Sequence, residues 1–295
     1  MKDLLFDGVC TAAVTPIKNG KIDLPRMEKF IIQQYEAGIR ALTITGTTGE
    51  CATLTDSEKE RLWRCAAANA PRDMVILAGT GENDTKHTVK LSKSAEKCGV
   101  DGLLVVTPYY NKATARGLLQ HFGTVAGAVE LPVIVYNVPS RTGVNIDSFT
   151  YEQLSKIQNI IGVKEASDDF LKIAEVLDRC REDFYVWSGN DSTIVPMMSI
   201  GAVGVISVLS NLCPTETVSM VRAVRHGDPA KAGRMQCAMS ELISALFCEV
   251  NPIPIKTAMN LTGGDMGELR LPLCEMTEEH QKRLISALQR FHLLS

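Results

Sequence analysis

Between Val9 and Ser207 the chain repeats one pattern: a short, β-branched apolar run, then an amphipathic stretch of helical length. The runs are Val9–Thr15, Ala41–Thr45, Met74–Ala78, Gly102–Thr107, Val133–Asn137, Ile160–Lys164, Tyr185–Ser188 and Val203–Ser207. Such alternation is the mark of parallel βα units. About eight of them at even spacing predict one α/β chain folded as a (β/α)8 TIM barrel rather than two domains, and 295 residues suffice, because such barrels run to roughly 250. Thr55 or Asp56 opens a helix over Asp56–Asn69 with Glu58 to follow, and Gly99 closes one over Thr85–Lys97. After the eighth run, Pro214–Arg225, Pro229–Glu249, Ile253–Leu261 and Glu278–Leu293 read as helices with no further strand. The expected division is a barrel over 1–225 and a C-terminal helical subdomain over 226–295.

Composition narrows the partners. A net charge of −3 without a dense Lys/Arg block provides no footprint for nucleic acid or an anionic membrane, which favours small molecules. No apolar run approaches about 18 residues, and the amino terminus lacks a leader pattern, so a cytoplasmic protein is expected. Nine cysteines, an odd number with no C-x-x-C pair, fit reduced, buried thiols. The five histidines show no metal-ligand spacing, and no metal site is expected.

Lys164 ends the run Ile160-Ile161-Gly162-Val163 and is followed at once by Glu165-Ala166-Ser167-Asp168-Asp169. An ammonium at the tip of a buried strand loses hydration, and a neutral amine there is a nucleophile suited to Schiff-base chemistry on a carbonyl. The plain alternative is a strand-end lysine reaching out to water. In a barrel the residues just after each strand gather at one rim, so they decide between the two. The second run leads into Gly46-Thr47-Thr48-Gly49-Glu50, a tight turn whose amides and hydroxyls can hold a carboxylate, although ordinary Gly/Thr turns look the same. Gly79-Thr80-Gly81-Glu82-Asn83-Asp84 lacks the third glycine of a dinucleotide fingerprint. The fourth and fifth runs lead into Tyr109-Tyr110 and into Tyr136-Asn137-Val138-Pro139-Ser140-Arg141-Thr142-Gly143. A phenol beside a lysine can relay protons, and an arginine fork can bind a carboxylate. Ser188-Gly189-Asn190-Asp191 and Val205-Ile206-Ser207 can complete a small polar pocket.

These rim segments, with Asn251-Pro252-Ile253-Pro254-Ile255-Lys256 and Leu269-Arg270-Leu271-Pro272, resemble a known family over essentially the whole chain. It is the pyruvate-dependent lyases that include dihydrodipicolinate synthase and N-acetylneuraminate lyase. The resemblance implies a (β/α)8 barrel with a C-terminal helical domain, a Schiff base between pyruvate and Lys164, no cofactor beyond that covalent link, and a homotetramer built as a dimer of dimers. Asn137 to Gly143 and Lys164-Glu165-Ala166-Ser167 are similar to the dihydrodipicolinate synthase branch rather than to the sialic-acid lyases. The implied substrates are pyruvate and L-aspartate 4-semialdehyde, and the implied product is 4-hydroxy-tetrahydrodipicolinate, on the diaminopimelate route to lysine. Carried over by position, Lys164 is the nucleophile and Thr48, Tyr136 and Tyr110 form a proton relay, with Tyr110 reaching into a neighbouring subunit's site. Thr47 and Thr48 hold the pyruvate carboxylate, Arg141 holds that of the semialdehyde, and backbone atoms of Gly189 and Ile206 line the pocket.

Feedback-inhibited members of the family bind free lysine at a dimer interface through their second and third βα loops. The matching positions here are Cys51, Ala52, Asp56, Lys59, Asn83, His87 and Tyr109. Sensitive members carry Ser, two His and a Glu where this chain has Cys51, Asp56, Lys59 and His87, while Asn83 and Tyr109 are retained. Loss of a carboxylate at His87 and a like charge from Lys59 predict weak or absent inhibition by lysine. Two other readings remain at this point. One is an aldolase for another 2-oxo acid (a keto-deoxy sugar acid, N-acetylneuraminate or 4-hydroxy-2-oxoglutarate); the other is a non-catalytic barrel that keeps the pyruvate pocket.

Overall fold

The computed structural model describes residues 2–294. Its strands are β1 (Gly8–Ala12), β2 (Ile17–Lys18), β3 (Lys21–Ile22), β4 (Ala41–Ile44), β5 (Val75–Gly79), β6 (Gly102–Val106), β7 (Val133–Asn137), β8 (Ile160–Glu165), β9 (Tyr185–Ser188) and β10 (Gly204–Ser207). The helices are α1 (Leu24–Glu36), α2 (Asp56–Asn69), α3 (Thr85–Lys97), α4 (Ala115–Ala126), α5 (Pro139–Thr142), α6 (Ser148–Ser155), α7 (Phe170–Arg179), α8 (Ile194–Ser199), α9 (Pro214–Arg225), α10 (Pro229–Ala238), α11 (Ser240–Leu246), α12 (Ile253–Leu261) and α13 (Glu278–Arg290). All strands except β2 and β3 pair in parallel, each with its neighbour in sequence, and β1 joins β10 to close the ring. The TIM barrel is therefore present, with helices after its last strand.

Period-2 alternation builds two cores from the same strands. On β7, Val133 and Val135 face the surrounding helices, and Ile134 and Tyr136 face the barrel interior. The interior is filled by Leu77, Leu104, Ile134, Ile161, Trp187 and Ile206. Phe6 stacks on Trp187 with ring centroids 5.0 Å apart and fills part of the same interior. A register irregularity between Val133 and Ile134 brings Gly162 opposite Ile134. Capping follows the sequence: Thr55 and Glu58 form a reciprocal capping box on α2, and the Asp84 side chain caps α3.

Four features depart from the expectations above. The predicted helix over Pro229–Glu249 is two helices that meet at Met239, where the Ser240 hydroxyl donates to the Cys237 carbonyl and competes with helical bonding. The last helix ends at Arg290 rather than Leu293. Ile17-Lys18-Asn19-Gly20-Lys21-Ile22 forms a hairpin whose two turn residues have positive φ, an Asn-Gly signal that the reading of βα units passed over. Cys237 and Cys274 are exposed, so burial does not hold for all the thiols. Among the described residues no helix is long and apolar enough to cross a membrane.

Gly162 is one of the tightest points of the barrel. A Cβ there would lie 2.0 Å from the Tyr185 carbonyl oxygen and 2.8 Å from the Trp187 ring. Gly162→Ala is expected to lose about 3 kcal/mol or to fail to accumulate. Gly233→Ala, on α10 with nothing within 4 Å of the added carbon, is expected to gain about 0.5–1 kcal/mol. Urea midpoints that moved in the same direction for both would contradict this account of the packing.

Candidate active site

Parallel pairing sets Tyr136 on β7 directly beside Lys164 on β8, at the carboxyl ends of both strands. Both are buried, and the Lys164 Nζ lies 4.3 Å from the centroid of the Tyr136 ring. Among the described residues no carboxylate pairs with this amine and no hydrogen bond holds it; the phenol face is its partner. Above it a cavity of about 160 Å³ is lined by Thr47, Thr48, Tyr136, Arg141, Lys164 and Gly189. It shares Ser140, Asn190 and Phe247 with a wider vestibule of about 480 Å³. Six predicted residues thus meet in one place. Ile206 packs its side chain in the barrel interior. Tyr110 stands away from the cavity, 90% exposed with φ at 71°.

The threonines ride on a strained loop. Thr47–Gly49 and Cys51–Thr53 are single 3₁₀ turns, and Glu50 between them is left-handed at φ 57°. Thr45, a β-branched residue, is also left-handed at φ 57°, and is held by Trp63 Nε1 donating to its hydroxyl oxygen at 2.7 Å. As the first amides of a 3₁₀ turn, those of Thr47 and Thr48 have no acceptor within it, which suits them to a carboxylate. The loop is tied down from the far end of the chain. Lys256 Nζ, on α12, pairs with Glu50 Oε1 at 2.7 Å, and the Arg270 amide donates to Glu50 Oε2 at 3.0 Å. Burial lowers the Lys256 pKa, against the pull of Glu50. Asn251 Nδ2 donates to Thr48 Oγ1 at 3.0 Å, and the Asn251 carbonyl accepts from Arg141 Nη2 at 3.0 Å. Among the described residues the buried Asn251 Oδ1 has no hydrogen-bond partner, a state that costs about 1–3 kcal/mol.

Behind the lysine, Glu165 points to the opposite face of β8. Its carboxylate takes Lys172 at 3.1 Å, the Tyr151 hydroxyl at 2.9 Å and Asn137 Nδ2 at 2.8 Å. Burial and this carboxylate together raise the Tyr151 pKa well above the ordinary phenol value. The network fixes the ends of β7 and β8 while keeping its charge out of the cavity.

The second group of predicted residues lies around the second and third βα loops. Lys59 is buried, and its Nζ pairs with Glu82 Oε1 at 2.6 Å; the Tyr109 hydroxyl donates to Glu82 Oε2 at 2.7 Å. The like charge expected of Lys59 is present, and it is paired with Glu82. His87 Nε2 lies 3.1 Å from Asp56 Oδ1, and Lys90 also reaches Asp56, lowering the Asp56 pKa. The Asn83 carbonyl accepts from Asn111 Nδ2; Cys51 is half-buried and Ala52 exposed. Sequence reasoning missed Glu82, Glu165, Phe247 and the roles of Asn251 and Lys256, although the segment holding the last two was among those singled out.

Comparison with known proteins converges on one family. A model of the Dihydrodipicolinate synthetase family matches residues 5–291. A protein of Clostridium novyi (strain NT), named 4-hydroxy-tetrahydrodipicolinate synthase, is 42% identical over 291 residues, covering 99% of this chain and 98% of the relative. One of Alkaliphilus oremlandii (strain OhILAs) with the same name is 44% identical over 290 residues, covering 98% and 100%. The crystal structure of dihydrodipicolinate synthase from Thermotoga maritima superposes with a TM-score of 0.96 at 41% identity, covering 99% of this chain and 100% of that one.

Arg270 also grips Glu58, at 2.9 and 2.5 Å, and its guanidinium holds the Glu58 carboxyl at a pKa of about 2, below the usual 4.5. A depressed carboxylate stabilises the fold above its unfolded value and loses that contribution as pH falls through about 2. Discounted for solvent screening of this partly exposed pair, the contribution at neutral pH is about 1 kcal/mol. Glu58→Gln is expected to be less stable at neutral pH and to show a shallower acid limb in stability measured from neutral pH down to the Glu58 value. Parallel limbs for the two proteins would remove this role from the pair.

Proposed function

The chain belongs to the dihydrodipicolinate synthetase family, and on that premise we propose that it is a 4-hydroxy-tetrahydrodipicolinate synthase, condensing pyruvate with L-aspartate 4-semialdehyde on the diaminopimelate route to lysine. The observation that carries the reading is an unpaired amine, Lys164, at the floor of a cavity bounded by Thr47 and Thr48 on one side and Arg141 on another. In this reading the neutral amine attacks the C2 carbonyl of pyruvate. The carbinolamine loses water to give an iminium, which draws electrons from the methyl group so that a proton leaves and an enamine forms. The enamine carbon attacks the aldehyde, and the resulting alkoxide takes a proton. The amino group of the former semialdehyde then adds to the iminium carbon, and the Lys164 amine leaves as the ring closes. One water is released per product, and the enzyme returns unchanged.

We assign proton transfer to Tyr136 and Thr48, with Tyr110 supplied across a subunit interface, which suits its exposed position. The free amides at Thr47 and Thr48 suit the pyruvate carboxylate, and the Arg141 fork suits that of the semialdehyde. Gly189 and Ile206 would contribute backbone atoms. The working unit in this proposal is a homotetramer of two tight dimers and needs no cofactor beyond the Schiff base. The barrel over 1–225 carries the nucleophile, and the helices over 226–295 complete the site.

Borohydride reduction in the presence of pyruvate, followed by intact-mass and peptide analysis, is expected to place a reduced pyruvyl adduct on Lys164 and none on the Lys164→Ala variant. An adduct on a different lysine, or none at all, would overturn the mechanism. The Lys59–Glu82–Tyr109 cluster supports a second expectation. The Glu82 carboxylate, which could otherwise receive a ligand ammonium, is already occupied by Lys59 and Tyr109. Initial rates should therefore be insensitive to L-lysine. Half-inhibition at sub-millimolar lysine would refute this.

A further inference from the structure

The segments Asn251–Lys256 and Leu269–Pro272 stand out in the sequence, yet no step above uses them. Both lie against the back of the threonine loop. Asn251 donates to Thr48 Oγ1, Lys256 pairs with Glu50, and the Arg270 amide caps the other oxygen of the same carboxylate. Asn251 is 6% exposed and Lys256 1% exposed. A hydroxyl oxygen that accepts from an amide keeps its own hydrogen for another acceptor, and among the described residues Thr48 has none. That hydrogen is thus available to a molecule in the cavity, and the bond it accepts makes it a better donor.

We propose that Asn251 and Lys256 are positioning residues for the condensation. Asn251 sets the direction of the Thr48 hydroxyl, and Lys256, through Glu50, fixes the left-handed turn that aims the Thr47 and Thr48 amides. The inference rests on the reading of Thr48 as a residue that touches pyruvate. A purely architectural role fits Asn251 poorly. Among the described residues its buried Oδ1 has no partner, a cost that an apolar residue of similar size would avoid.

The test is a double-mutant cycle of Asn251→Leu with Thr48→Val, read by steady-state kinetics on both substrates and by thermal midpoint. Asn251→Leu is expected to lower kcat about tenfold, with KM for the semialdehyde unchanged and the midpoint not lowered. In the Thr48→Val background it should cause no further loss. Losses that multiply in the double variant, or a single variant within about twofold of the parent, would overturn the proposal. Lys256→Met strands a buried carboxylate and should lower activity; adding Glu50→Gln should recover part of it. No recovery would remove Lys256 from the proposal. Borohydride trapping with pyruvate separates the two levels. Absence of an adduct in the parent defeats the reading of the site, whereas normal trapping with unaltered kinetics in Asn251→Leu defeats this inference alone.

Discussion

The pairing of Tyr136 with Lys164 across adjacent parallel strands is the contact on which the site depends. In a barrel whose strands are buried on both faces, an inward side chain has only other inward side chains for company. Lys164 therefore finds a ring face where a surface lysine would find water or a carboxylate. A slip of one residue in β8 would turn Lys164 out among the helices and swing Glu165 into the cavity, reversing the sign of its charge. Gly162, lodged against Tyr185 and Trp187, sits in the same strand and adjoins the register irregularity.

Two of the carboxylates near the site are engaged elsewhere. Glu165 is bound to Lys172, Tyr151 and Asn137 on the outer face of β8, and Glu50 is bound to Lys256 and Arg270 behind the threonine loop. Each has its own cation, so neither is drawn toward Lys164. Buried ion pairs of this kind add little net stability, because desolvation offsets attraction. Their value here is directional: they fix the ends of β7 and β8 and the threonine loop.

Much of this was legible in the residues themselves. The eight barrel strands announce themselves because burial on both faces demands continuous apolar runs, and α2 and α3 because their caps are local. Lys164 could be picked out since it closes such a run, and Tyr136 since it stands one residue before the end of another. What escaped depends on partners distant in sequence. Nothing local in Glu82 indicates that Lys59 and Tyr109 will converge on it, so the sequence shows Lys59 as a like charge without its partner. Asn251 and Lys256 carried a family likeness but no visible task, since Thr48 and Glu50 lie some two hundred residues earlier. The break at Met239 is accompanied by a single Ser240 hydroxyl bond, too small a signal to interrupt a helical pattern in the sequence.

The order of the chain gives the clamp on Glu50 a consequence in time. All eight barrel strands precede residue 208, whereas Asn251, Lys256 and Arg270 follow it. On a ribosome that releases the chain from its amino end, the barrel can close while the threonine loop still lacks its anchor. On the proposed reading, the nascent protein would hold Lys164 before the turn carrying Thr47 and Thr48 was fixed, and its site would be complete only as the last helices docked.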